Sequence, residues 1–138
     1  MFGKALAVGA LAALIAGAAA AAPAAPSDWA NAQLKEMDAA GFGAPVDGLT
    51  FEGAALQGKT GEVKVSIPAD GKYALVASCG EDCADIGLIL QQNGQTVAEG
   101  DPGFHAQLKP GDYVLMIGFD NCKTAQCRWV VRAYQPKP

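Results

Sequence analysis

Two pairs of closely spaced cysteines constrain this chain more than any other feature: Cys79-Gly80-Glu81-Asp82-Cys83 and Cys122-Lys123-Thr124-Ala125-Gln126-Cys127. A disulfide needs its Cα atoms within about 4.4–6.8 Å. A turn of three or four intervening residues supplies that, so the local bonds Cys79–Cys83 and Cys122–Cys127 are feasible. Local geometry and speed of formation favour them. A crossed Cys79–Cys127 bond is the energetic rival, at about 4 kcal/mol against roughly 2 kcal/mol for each small loop in the loop-entropy estimate. A four-cysteine zinc site fits less well, because both spacings exceed the usual two-residue knuckle. A redox dithiol would place Cys-x-x-Cys at a helix start, and neither pair does. Disulfides persist in oxidising compartments, and the rest of the sequence is consistent with one.

Residues 1–21 have the three parts of a cleavable export signal: Lys4, an apolar run from Ala5 to Ile15, and the alanines Ala18 to Ala22. Cleavage is expected after Ala20 or Ala21, clear of Pro23. The stretch is mostly alanine and glycine with no flanking basic stop, which argues against a retained membrane anchor. The expected location is therefore periplasmic or secreted, with no stable membrane anchor after cleavage. Lys4 leaves with the signal, so nine Lys and Arg then face fourteen Asp and Glu. An acidic chain repels phosphate backbones, which makes nucleic acid a poor partner. Roughly 115 residues remain, enough for one domain with its own core.

Residues 22–48 read as a linker and a short N-terminal helix. Ser27 is a good N-cap, Asp28 to Ala40 runs without Gly or Pro, and Gly41 follows. Ala30, Leu34 and Met37 fall on one helical face. From Leu49 the period changes to two. Val63, Val65 and Ile67 alternate with Glu62, Lys64 and Ser66. Further strands are predicted over 72–78, 86–91, 95–99, 105–108, 113–119 and 128–134, with Asn93-Gly94 as a hairpin turn. Residues 49–138 are therefore predicted to be a mainly β domain, an antiparallel, jelly-roll-like β-sandwich carrying the one helix. Val63, Val65, Ile67, Leu75, Leu88, Leu90, Leu115, Ile117 and Val131 are the expected core. Antiparallel strands reverse at each turn. Parity then places the loops 79–85, 100–104 and 120–127 at one end, together with Glu81, Asp82, Asp85, Glu99, Asp101 and Asp120.

Four segments carry a family resemblance: Gly71-Lys72-Tyr73-Ala74-Leu75, Asp85-Ile86-Gly87-Leu88-Ile89-Leu90, Asn93-Gly94-Gln95-Thr96-Val97-Ala98 and Pro110-Gly111-Asp112-Tyr113-Val114-Leu115. Between Gly61 and Tyr134 the chain resembles the bacterial pre-peptidase C-terminal type of β-sandwich, in particular exported proteins with the same two cysteine loops. The resemblance implies an accessory module, with calcium or carbohydrate binding among relatives. Where the family's common pattern reads Asp-Leu-Asp-Leu, this chain has Asp85-Ile86-Gly87-Leu88, one acid fewer.

Catalytic constellations are not visible. His105 is the only histidine, and Ser27, Ser66 and Ser78 lie outside any Gly-x-Ser-x-Gly elbow. The expectation is a non-catalytic binding or envelope-accessory module whose partner is an envelope protein or a glycan. The alternative is a calcium-dependent module, of the kind that can bind carbohydrate, in which Asp82, Asp85, Asp101 and Asp120 hold the ion, Asp85 the first choice of ligand and Asp101 or Asp120 the second. Trp129, beside the second cysteine loop, is expected to pack as core rather than to serve as a sugar platform.

Overall fold

The computed structural model describes residues 25–56 and 58–136. The export signal over 1–21 and the start of the linker at Pro23-Ala24 lie outside them. The helix α1 spans Asp28–Ala39. Eight strands follow: β1 Ala44–Leu56, β2 Gly61–Ile67, β3 Gly71–Ser78, β4 Asp85–Gln92, β5 Gln95–Gly100, β6 Gly103–Leu108, β7 Gly111–Asp120 and β8 Gln126–Gln135. They form two four-stranded sheets, ordered β1-β8-β3-β6 and β2-β7-β4-β5, with every pairing antiparallel. That order is a jelly roll: successive strands cross between sheets, and only β4 and β5 are neighbours in both chain and sheet.

The alternating faces of the two sheets meet in one core. Val65, Ile67, Leu75, Leu88, Leu90, Leu115, Ile117 and Val131 are all buried there. Val63 departs from the expected set and is only half-buried, unlike Val65 and Ile67 further along the same edge strand. The Asn93-Gly94 turn takes the left-handed conformation at both residues, φ 53° and 78°, as a two-residue hairpin requires.

β1 begins at Ala44, ahead of the Leu49 boundary drawn from the sequence. Pro45 and Gly48 disguise its start. A sheet edge tolerates a proline because no ladder donor is needed on that side. β1 is such an edge, and its register shifts between Pro45 and Thr50. The loop expected over 100–104 shrinks to the corner Asp101-Pro102. Glycine is required on both sides of it: a Cβ on Gly100 would stand 2.0 Å from the Gly103 carbonyl oxygen, and one on Gly103 would stand 2.1 Å from that of Leu75.

The helix docks on the outer face of the first sheet. Ala30, Leu34 and Met37 bury against Ala74, Val76, Val130 and Tyr134, so β3 is covered on both faces. Ser27 caps the helix by accepting from the Ala30 amide at 3.1 Å, and its hydroxyl donates to Glu52. At the far end Asp38 accepts from the Tyr134 hydroxyl at 2.6 Å and from Arg132 at 2.7 Å.

Candidate functional site

The structure joins Cys79 to Cys83 and Cys122 to Cys127, with Cα separations of 5.9 and 5.6 Å. The first bridge closes the β3–β4 loop and the second the β7–β8 loop. The two loops are also tied to each other: the Lys123 amide donates to the Asp82 carbonyl at 2.8 Å, and the Ala84 amide to the Asp120 carbonyl at 3.1 Å. One end of the sandwich is thus pinned by two disulfides and by backbone bonds between its loops.

Beside this end, on the outer face of the second sheet, lies an open cleft of about 560 Å³. The ladder explains its shape. Asp85 stands opposite Asp120, Gly87 opposite Gly118, and Ile89 opposite Met116. Alternate residues point the same way, so these three pairs share the outer face. The glycine pair leaves a trough with no side chains in its floor. A Cβ on Gly118 would meet nothing within 4 Å, whereas one on Gly87 would stand 2.1 Å from Asp101 Oδ1. The Asp101 carboxylate therefore fills the space that a side chain at 87 would need. The residue that reads from sequence as a missing acid is the one that admits an acid from the β5–β6 corner.

Asp85, Asp120, Asp101 and Glu99 line the cleft, with Lys59 as the cation on its wall. Parity along the chain brings these acids together as expected. Glu81 stays exposed on its loop and Asp82 turns elsewhere. The Asp82 carboxylate pairs with Arg128 at 2.8 Å, and those hydrogen bonds hold its carboxyl below the usual value. The guanidinium of Arg128 also lies 4.7 Å from the ring centre of Trp29, so helix, loop and strand meet at one arginine. Among the described residues, no group of three His, Cys, Asp or Glu is arranged to hold a metal ion. Sequence reasoning missed the floor, Gly87 with Gly118, and the wall at 58–60. The signal available was that both glycines hold outward-facing positions in otherwise regular strands.

Trp129 is buried, its indole against Gly53 and Gly61, and belongs to the core rather than to a platform. His105 is exposed on the edge strand β6. The hydroxyl of Ser66 donates to Asp112 and that of Ser78 to Gln33.

No protein-family model matches the sequence, and no curated protein is similar to it. Solved structures with a related fold include PliG from Aeromonas hydrophila, a periplasmic lysozyme inhibitor of g-type lysozyme. It is 12% identical with a TM-score of 0.46, covering 66% of this chain and 93% of that one. The pre-peptidase C-terminal domain of a collagenase from Bacillus anthracis is 14% identical with a TM-score of 0.49, over 66% and 90% of the two chains. The Yersinia pseudotuberculosis-derived mitogen is 19% identical with a TM-score of 0.44, over 64% and 86%. The likeness to the pre-peptidase C-terminal domain, read first from the sequence, recurs among these structures and concerns the fold alone.

Proposed function

We propose that this protein is an exported, non-catalytic binding module that engages an envelope partner through the cleft at its disulfide-pinned end. The trough floored by Gly87 and Gly118 carries the reading. It is a concave opening on paired strands beside the two disulfide-closed loops, and preorganised concavities of this kind are where binding sites form. The disulfides agree with an oxidising compartment. The serine hydroxyls that donate to Asp112 and Gln33, and the exposed His105 on the far sheet, supply no nucleophile–base pair.

Gly118→Leu is the direct test. The substitution fills open space at an ordinary strand position, so the chain should fold and melt as the parent does. An envelope component retained by the mature protein should be lost with Gly118→Leu. Undiminished retention by the variant would refute the cleft as the binding site.

A calcium-dependent mode has one observation in its favour. Asp85 and Asp120 are direct cross-strand partners on the cleft rim, and like charges so placed repel. A calcium ion there would draw on this pair, with Asp101 and backbone or water oxygens completing roughly six to eight ligands. Excess calcium should then raise the melting temperature of dialysed protein, by mass action, and the gain should vanish in Asp85→Asn. An unchanged melting temperature eliminates this mode and leaves the first.

A further inference from the structure

The two sandwich faces are treated differently. The outer face of the first sheet lies under α1, while α1 makes no part of the second sheet's cover. Across the second sheet's outer face the register sets Met116 between Glu62 and Ile89, and Val114 between Lys64 and Gln91. Ile89 is 37% exposed, and Val97 on the neighbouring edge strand is 45% exposed. Val114, Met116 and Ile89 lead along this face to the glycine trough. There the face turns acidic, with Asp85, Asp101, Asp120 and Glu99 against Lys59. Two acids elsewhere, Asp38 and Asp82, are held in ion pairs with Arg132 and Arg128, and none of the four cleft acids is paired among the described residues.

We propose that this face docks a cationic protein segment, one that places a lysine or arginine in the trough and an apolar neighbour on Ile89 and Met116. The proposal rests on the cleft being the binding site and adds the chemistry of its partner. The open floor over Gly118 suits the aliphatic stem of a long basic side chain, and the Asp101 carboxylate over Gly87, with the rim carboxylates, suits its charged head. A cation between Asp85 and Asp120 also relieves the repulsion of two like charges placed directly opposite each other. The size of the cleft and its apolar continuation exceed what a bare ion uses. Neither tryptophan offers a glycan a stacking platform here, since Trp129 is in the core and Trp29, on the helix over the other sheet, lies against Arg128.

An alternating lysine–leucine hexapeptide carrying a fluorophore is the probe, with the glutamate–leucine peptide as control. Anisotropy is read on the disulfide-intact mature protein in EDTA at about 150 mM salt, where nonspecific surface attraction is screened beyond roughly 8 Å. Saturable binding of the lysine peptide alone is expected. Asp85→Asn/Asp120→Asn should weaken it about tenfold, as should Gly118→Lys, which places an internal ammonium in the trough. Glu36→Gln/Asp47→Asn removes the same charge from exposed sites away from the cleft and should leave binding within about twofold, because screened distant charges contribute little. Equal weakening by the two charge-removing pairs, or no saturable binding of the lysine peptide, overturns the proposal. If Gly118→Leu still abolishes envelope retention in that case, the cleft remains the binding site and only its cationic partner is lost.

Discussion

Tyr134 joins the helix to the sheet in two ways from one position. Its ring is fully buried beneath α1, 5.6 Å from the ring of Phe42, and its hydroxyl donates to Asp38 on the helix. Burial first, and then the hydrogen bond to Asp38, push its phenol above the usual value. A raised folded value gives stability that is complete below the unfolded phenol value of about 10 and is lost as pH rises beyond it. Tyr134→Phe is therefore expected to cost about 0.5–1.5 kcal/mol at neutral pH, with the gap from the parent closing in alkali. A urea-unfolding difference that stays constant from pH 8 to 11 would contradict this. Asp82 has the opposite sign. Its carboxyl is held low by Arg128, so its contribution is present above the unfolded value of about 3.9 and is lost as pH falls through the lower folded value. The difference between Asp82→Asn and the parent should accordingly be seen at pH 7 and shrink as the pH falls below about 4. Neither role could be read from the chain. Asp82 sits among loop acids in sequence, and only the fold brings it to Arg128 of β8, and Tyr134 to Asp38 of α1.

At the scale of single elements, the period of the apolar residues was the strongest guide. The face Ala30, Leu34, Met37 is the buried face of α1, and Ser27 caps it as its position suggested. The alternation in β2 and the apolar runs of β3, β4 and β7 gave the core with one exception, Val63, since alternation marks a face but not how fully each position along it is covered. β1 was hidden for the converse reason: Pro45 and Gly48 break the pattern locally, while pairing with β8 restores it along Thr50–Leu56. Leu115 tests the core directly. It is fully buried in β7, between Val63 on one neighbouring strand and Leu90 on the other. Leu115→Ala should cost about 2–5 kcal/mol in denaturant unfolding. Val63→Ala, at a half-buried edge position, should cost about 0.5–1.5 kcal/mol, less because the edge can relax around a smaller group. Equal losses at the two positions would show that edge and centre are packed alike, against the burial observed.

For the whole molecule, parity of reversing strands sufficed to predict which loops share an end, and so to gather Asp85, Glu99, Asp101 and Asp120. It could not say which strands belong to which sheet, because the jelly-roll order pairs strands far apart in sequence, β1 with β8 and β2 with β7. The trough depends on that missing information, since Gly87 and Gly118 become partners only when β4 lies beside β7. The disulfides act at this same scale. Each closes a loop of only a few residues, so each removes little entropy from the unfolded chain, roughly 2 kcal/mol, whereas a bond across the two loops would be worth about 4 kcal/mol. Their placement suggests a second consequence. The Cys122–Cys127 bridge begins two residues after Asp120 of the cleft rim, so its loss is expected to loosen that rim as well as the fold. Replacing both residues, Cys122→Ala/Cys127→Ala, should cost about 2 kcal/mol in urea unfolding while leaving the Cys79–Cys83 bridge intact by peptide mapping. The β7–β8 loop should show a larger rise in amide exchange than the β4–β5 turn at the far end, because local opening follows the loss of the local constraint. A loss near 4 kcal/mol, or a free thiol at Cys79 or Cys83 in the variant, would contradict the local pairing. A uniform rise in exchange across both ends would instead show that the bridge stabilises the sandwich as a whole without shaping the cleft.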